Sequence, residues 1–384
     1  MDEKMRVEGL YEPEIIEDFQ LAGFSAKTVD AGEMATVVQK VFITSLEKDF
    51  SLIATNLLSV IVSIDPGASL NSLLVIIKPD NKGYVYYRFP FGCQMIAKRD
   101  LEAHRAVFRK DVVDITSVFF KDMVIDLNPE DGDRLIWLFR QNWTFGLFFD
   151  LSGKLKAESV LEEMGTYYRR LAYLSEYLFL EKSSNFTQMV QDGWFPFVAL
   201  IGEGIDSIRT YYEEGEKHPS IINGLMSSFD KTRLTDITSR WWSNHLFSSK
   251  KKILQAGVNS YLANTEEGYI NAVKNLSTEL EGIIRVSYHK DYGKNPGSIK
   301  DLKEYITSKG QNKFSSLGSL CFPDRFLDYL SNYIFKSFDV QTGNIPESRH
   351  SVAHGVAQDN VYNQEFALKL ILTLDNIYFF LSDK

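Results

Sequence analysis

Hydrophobic and polar positions change their period once along this chain, near residue 155. Before that point, short apolar runs alternate with Gly, Pro, Asn and Asp. Residues 71–78 (Asn-Ser-Leu-Leu-Val-Ile-Ile-Lys) and 84–89 (Tyr-Val-Tyr-Tyr-Arg-Phe) flank the turn residues 79–83 (Pro-Asp-Asn-Lys-Gly). Two β-rich runs joined by so short a turn predict a hairpin. Residues 123–127 and 143–151 predict further strands on their β-branched and aromatic content, with a helix over 131–140 between them. Residues 1–155 are therefore expected to form an α+β domain. No Gly-rich phosphate loop or acidic metal cluster is legible in this domain, so recognition or regulation is its default role.

From Lys156 onward the period is helical. Val160, Leu161, Met164, Tyr167, Leu171, Leu174 and Leu178 form a stripe along 157–182, as an amphipathic helix requires. The segment Asp192-Gly-Trp-Phe-Pro196 breaks the pattern, a second helix follows to about Tyr212, and the charged run 213–219 reads as a turn. The last third predicts helices over about 250–263, 266–288, 299–308, 323–337 and 360–382, with loops at 290–297 and 310–316. Phe366, Leu370, Leu374, Ile377 and Leu381 recur at helical spacing, so the final helix is expected to bury one face. Short connections between such helices suit an antiparallel bundle. The expected division is an α+β domain (1–155), a helical middle (156–249) and a C-terminal bundle (250–384).

Composition narrows the class of protein. A hydrophobic content of 44% with 24% charged residues is ordinary for a soluble protein. Cys93 and Cys321, the two cysteines, give neither a disulfide framework nor a zinc pattern, which fits a reducing compartment. The charged start, Met-Asp-Glu-Lys-Met-Arg, is unlike a secretory signal. The longest apolar run, 52–64, is too short to cross a bilayer. A cytoplasmic location is expected, with no membrane contact. The net charge of −9 disfavours a protein that holds nucleic acid over a wide surface. It leaves room for an enzyme with a local positive groove. Lys231, Arg233, Arg240 and Lys250–Lys252, interleaved with Trp241 and Trp242, could hold single-stranded RNA by charge and stacking. Core tryptophans beside a solvated helix end are the preferred reading.

The residues with most chemical content lie near the end: Asn344-Ile-Pro-Glu-Ser-Arg349-His350-Ser-Val-Ala-His354-Gly355. Two of the six histidines fall here, beside an arginine. A permanent guanidinium suits holding a phosphate, and an imidazole suits moving a proton near neutral pH. Asn344 and Glu347 have capping-box spacing, Pro346 suits a first turn, and Gly355 suits a C-terminal stop. These signals predict a helix of about ten residues with His354 in its last turn. There the negative end of the helix dipole favours imidazolium, while Arg349 disfavours it. Arg349 and His354 are five apart, roughly 140° around a helix. One copy would not point both at one phosphate, and two copies across a two-fold axis would. A homodimer with a composite site follows. His350 and His354 also have the i, i+4 spacing of a metal pair, but Ser351 follows the first histidine where the zinc-protease motif has glutamate. No metal or other cofactor is expected. An arginine and a histidine that cap a helix and close an interface are the plain structural alternative.

Arg349-His350-Ser-Val-Ala-His354, with the helix-like segment Tyr269–Arg285 upstream and a last amphipathic helix downstream, resembles the C-terminal domain of the HEPN ribonuclease superfamily. The resemblance spans roughly 250–384 and its six-residue core is an Arg, polar, three residues, His pattern. A Gly-Trp-Phe-Pro segment like residues 193–196 accompanies that domain in similar proteins. The resemblance implies a HEPN-like bundle and a metal-independent endoribonuclease. In such enzymes the ribose 2′-hydroxyl attacks its own phosphate, leaving a 2′,3′-cyclic phosphate and a 5′-hydroxyl. It implies that Arg349 stabilises the phosphorane, that His354 is general acid or base, and that His350 orients substrate or partner groups. Glu281 and Asn344 would orient or bind substrate; for Glu281 a surface pair with Arg285 is the competing reading. The implied biology is a growth-arresting effector of bacterial defence against phage, triggered by a phage or cellular component at the N-terminal domain. One departure concerns regulation. Val356 stands where toxins paired with nucleotidyltransferase antitoxins carry a tyrosine, and Tyr362 is too distant to substitute. The competing class of function is a non-catalytic dimerisation or sensor scaffold.

Overall fold

The computed structural model describes residues 11–61, 72–213, 218–314 and 318–382. The N-terminal hexapeptide, residues 62–64 of the apolar run, Asn71, residues 214–217 of the expected turn and 315–316 of the expected loop lie outside them, whereas 310–313 of that expected loop are helical. The chain divides into two compact units, 1–95 with 115–174 and 96–114 with 175–384. The helix that follows the expected boundary at 155/156 packs on the sheet of the first unit.

The strands are β1 (Glu14–Ile16), β2 (Phe24–Ser25), β3 (Val37–Val38), β4 (Lys40–Thr44), β5 (Leu73–Ile77), β6 (Gly83–Tyr86), β7 (Gly92–Ala97), β8 (Val112–Phe119), β9 (Arg134–Gln141) and β10 (Thr144–Asp150). Six of them form an antiparallel sheet of order β1-β6-β5-β9-β10-β4. The expected hairpin is β5–β6, with Ile77 opposite Gly83. The expected strand at 143–151 is β10. Side chains alternate across the sheet as period two requires. Leu74, Ile76, Trp137, Phe139 and Phe148 join Val160, Met164 and Leu171 of α2 (Ala157–Ala172) on one face. Leu73, Val75, Ile77, Ile136, Leu138, Leu147 and Phe149 join Leu57 and Ile61 of α1 (Phe50–Ile61) on the other.

Burial of both faces explains the first correction. Residues 131–140 are not helical: Arg134–Gln141 is strand β9, paired with β5 and β10. A strand covered on both sides needs no polar alternation, so Leu-Ile-Trp-Leu-Phe carries no period-two signal. The strand expected at 123–127 is instead a turn. Met123 and Val124 are exposed, and the Asp122 carboxylate accepts from the Val124 and Ile125 amides at 2.8 and 3.0 Å. The helix expected over 157–182 is interrupted at Tyr173, which separates α2 from α3 (Leu174–Leu180).

The second unit is helical apart from the strand segments within 96–114. Its first helices after α3 are α4 (Ser183–Gln191), α5 (Ile205–Glu213), α6 (Pro219–Ser227), α7 (Lys231–Trp241), α8 (His245–Ser248) and α9 (Lys251–Leu262). Gly193, at φ +81°, makes the break at 192–196, and Trp194 and Phe195 are buried beyond it. Trp241 is buried while Lys251 lies over the Trp242 ring at 5.2 Å, the core-plus-helix-end arrangement preferred from sequence. Then follow α10 (Glu266–Tyr292), α11 (Ile299–Lys313), α12 (Phe326–Tyr329), α13 (Arg349–Ala353) and α14 (Gln364–Leu381).

Helix α10 has Thr265 as its cap, two glutamates in its first turn and Gly293 in the left-handed conformation at its end. Each of these matches the dipole and capping rules. It packs against α9, α11, α13 and α14. Helix α14 corrects the one-face expectation, because residues 366–381 are buried all round. Its charged members are therefore paired. Asp375 receives Arg240 through both guanidinium edges, at 3.1 Å on one of them, and the Trp241 indole N–H at 2.9 Å. Among the described residues no helix is long and apolar enough to cross a membrane.

Candidate functional site

The motif helix α13 is shorter than expected and starts later. Its N-cap is Ser348, whose hydroxyl accepts from the Ser351 amide at 3.3 Å. Asn344 is not the cap: its carbonyl accepts from the Asp339 amide at 2.8 Å in an isolated bridge closing the 339–344 turn, and it is exposed. With Asn344 in that turn, Ile345 and Pro346 are non-helical linkers to Ser348, as the restricted residue before proline permits. Glu347 therefore has no capping-box role. Its carboxylate accepts from the Tyr333 hydroxyl, from Asn363 Nδ2 at 3.0 Å, and faces Lys369 Nζ at 3.9 Å. Asn363 is the N-cap of α14, so Glu347 ties the entry of the motif helix to the start of the last helix. Burial and Glu347 push the Tyr333 hydroxyl well above its ordinary pKa, so Tyr333 stays a donor.

Gly355 ends the helix as expected, at φ +70°, and the Val356 and Ala357 amides return to the Ser351 carbonyl at 3.0 and 3.1 Å. Ser351 and Ser348 are buried completely. The Ser351 hydroxyl donates to the Pro346 carbonyl at 2.7 Å. Small hydroxyl residues thus close the five-residue helix from inside, while Arg349 and His350 are partly buried and His354 is exposed.

Glu281 reconciles the two readings given for it. It lies on the buried stripe of α10, with Oε1 2.5 Å from Arg285 Nε and Oε2 2.6 Å from Arg349 Nη2. It makes the surface pair and also faces the motif. The Arg349 and Glu281 side chains are only 14% and 9% exposed, whereas Arg285 is 42% exposed. Burial pushes Arg349 below its ordinary pKa and Glu281 opposes this; a guanidinium remains charged at neutral pH either way.

The two imidazoles are neighbours, with ring centroids 6.1 Å apart. Phe335 lies edge-on to His350 at 5.9 Å, and Phe338 lies 5.5 Å from His354. Burial, then the Arg349 guanidinium, hold His350 below its ordinary pKa, with weaker contributions from His354 and Lys303. His350 is therefore largely neutral at pH 7. His354 is exposed. Two buried nitrogens, Arg349 Nε and His350 Nε2, have no hydrogen-bond partner among the described residues. Such groups are costly unless something polar completes them.

The local charge is positive within an acidic chain. Arg349, Arg285 and Lys303 lie around Glu281, with Glu304 acting on Lys303. Lys303 was not singled out from sequence, and neither were Ser348, Phe335 or Phe338. A serine directly before the arginine was the one local signal, since it is as good a cap as Asn344. The structure thus gathers Arg349, His350, His354 and Glu281 and leaves Asn344 in the neighbouring turn. Among the described residues no cluster of three metal-ligating side chains occurs. The chain matches no family model, no curated protein and no solved structure.

Proposed function

We propose that this chain is a metal-independent endoribonuclease with Arg349 and His354 as catalytic residues and His350 beside them. The observation that carries the reading is the grouping of Arg349 and His350 on a five-residue helix with His354 at its C-cap, the two imidazoles 6.1 Å apart. Arg349 would neutralise the phosphorane formed when a ribose 2′-hydroxyl attacks the adjacent phosphate. His354, exposed, would give or take the proton of the hydroxyl groups. His350, neutral, would accept a hydrogen bond or proton from the attacking side. Glu281 orients Arg349 through its 2.6 Å contact. We take the working form to be a HEPN-like homodimer in which both motifs meet, and its role to be growth arrest in cytoplasmic defence against phage. The trigger would act through the first unit.

The test is incubation of the purified chain with total RNA and tRNA in EDTA, with analysis of fragment ends. Fragments ending in 2′,3′-cyclic phosphate are expected from the wild type. Arg349→Ala and His354→Ala are each expected to lower cleavage about 10²–10³-fold. Cleavage equal in all three proteins would remove the motif from the chemistry.

A scaffold reading is favoured by one observation: the Arg349 charge is already met by Glu281. Under that reading no fragments form, and Arg349→Ala changes sedimentation of the chain rather than its effect on RNA.

A further inference from the structure

The first unit contains a cavity of about 480 Å³ that the nuclease chemistry leaves unused. Its walls are aromatic: Phe89, Phe91, Trp137, Phe139 and Tyr168. Trp137 and Phe139 are buried and stack on each other at 3.8 Å, so the open aromatic surface comes from Phe89, Phe91 and Tyr168. Phe91 stands 5.7 Å from Trp137 and 5.0 Å from Tyr168. The volume is within the range of small-molecule pockets, about 300–1,000 Å³. Flat aromatic walls favour a flat guest.

The polar part of the lining selects among flat guests. It includes Arg140, Gln141 and Asn142 and no carboxylate, in a chain whose net charge is −9. Aromatic cages for quaternary ammonium groups work by attracting a cation, and here no carboxylate lines the cavity to assist one. A cationic guest is therefore disfavoured. Gln141 hydrogen-bonds Tyr168, which ties a carboxamide to the aromatic wall. Carboxamides offer both donor and acceptor to the edge of a base.

Arg140 is exposed, donates from Nε to the Asn142 carbonyl at 2.7 Å, and lies 5.0 Å over the Trp143 ring. Trp143 is 88% exposed, an indole that the core of this unit does not use. The Arg140 guanidinium also lies 5.8 Å over the Phe145 ring, on the face of the sheet opposite Trp137 and Phe139, so the aromatic wall and Gln141 carry the binding.

We propose that this cavity binds a nucleobase, stacked on its aromatic wall with its edge at Gln141. The base belongs either to a free nucleotide or to an RNA strand. This site lies wholly in the first unit and does not depend on the nuclease reading.

Calorimetric titration of the full-length His354→Ala protein in EDTA tests it without interference from cleavage. The probes are AMP, GMP, adenosine, ribose 5-phosphate and a short oligoribonucleotide. Binding of a mononucleotide, and none of ribose 5-phosphate, is expected. Phe91→Ala, at a 40% exposed ring, should weaken binding about tenfold, as loss of a stacking surface does. Arg140→Ala, on the opposite face of the sheet, should leave AMP and adenosine binding unchanged. Binding confined to the oligoribonucleotide and sensitive to Phe91→Ala would assign the base to a strand. Absence of binding by every base-bearing probe, or unchanged binding by Phe91→Ala, would overturn the proposal.

Discussion

Glu281 shows how one side chain decides whether a charged cluster is structure or chemistry. Its two oxygens hold two arginines of different exposure, and the difference fixes what each contact is worth. A pair open to solvent contributes at most about 1 kcal/mol. Loss of the carboxylate opposite buried Arg349 leaves a guanidinium without its counter-charge, costing about 2 kcal/mol or more. Urea unfolding should therefore show Glu281→Gln destabilised by about 2 kcal/mol and Arg285→Ala by under about 1 kcal/mol. Equal effects would mean that Arg349 is solvated in the working protein. His350 gives a second prediction at this scale. Burial and Arg349 hold it below the ordinary value of 6.5, so as pH falls the unfolded chain binds that proton before the folded one. Stability is then lost as pH drops through about 6.5 and onward to the lower folded value. His350→Gln should flatten the fall of melting temperature between about pH 7.5 and 5 relative to wild type. An unchanged slope would place the imidazole in free solvent.

Among the elements, the motif helix depends most on its ends. Five residues cannot hold a helix by backbone hydrogen bonds alone, because nucleation is unfavourable. Ser348, with its buried hydroxyl, and Gly355, in the left-handed conformation, define where it starts and stops. Ser348→Ala should cost about 1 kcal/mol, and RNA cleavage should fall further than stability because the frame of Arg349 and His350 moves. Ser348→Asn, which retains a capping oxygen, should recover much of both; if it recovers neither, the serine is needed for its size.

The same helix shows which parts of the sequence could be read. Gly355 was legible because a left-handed stop has few alternatives. Asn344 misled because two good caps stand four residues apart, and the choice between them was made by the Asp339 bridge, a contact invisible to local patterning. Strand β9 misled for a related reason: α2 and α1 pack on the two faces of its sheet, and coverage on both faces erases the alternation that identifies a strand. Helix α14 has a clear stripe, yet it is buried all round because α7, α10 and α11 pack about it. Lys369 and Asp375 sit inside it only because Asp192, Glu365, Arg240 and Trp241 supply partners, and no periodicity shows these.

For the whole molecule, the net charge of −9 sets a limit on how RNA can be held. An acidic protein gains little from general attraction to phosphate, so under the proposed function affinity would come from the few cations gathered around the motif. Arg349, Arg285 and Lys303 are the cations grouped there. Each phosphate neutralised on a single strand contributes about −0.7 to the slope of log affinity against log salt concentration, so three contacts give about −2. Two motifs brought together across a two-fold axis would offer six, and a slope of about −4. The basic run from Lys231 to Lys252 would add more if it touched RNA. Binding of a single-stranded RNA to the His354→Ala protein, followed by fluorescence anisotropy from about 50 to 300 mM salt, separates these cases. A slope near −4 that falls toward −2 at concentrations where the protein sediments as a monomer is expected for the composite site. A slope near −2 at every concentration would assign the whole site to one copy, and a slope steeper than −4 would move RNA binding away from the motif to the wider basic surface.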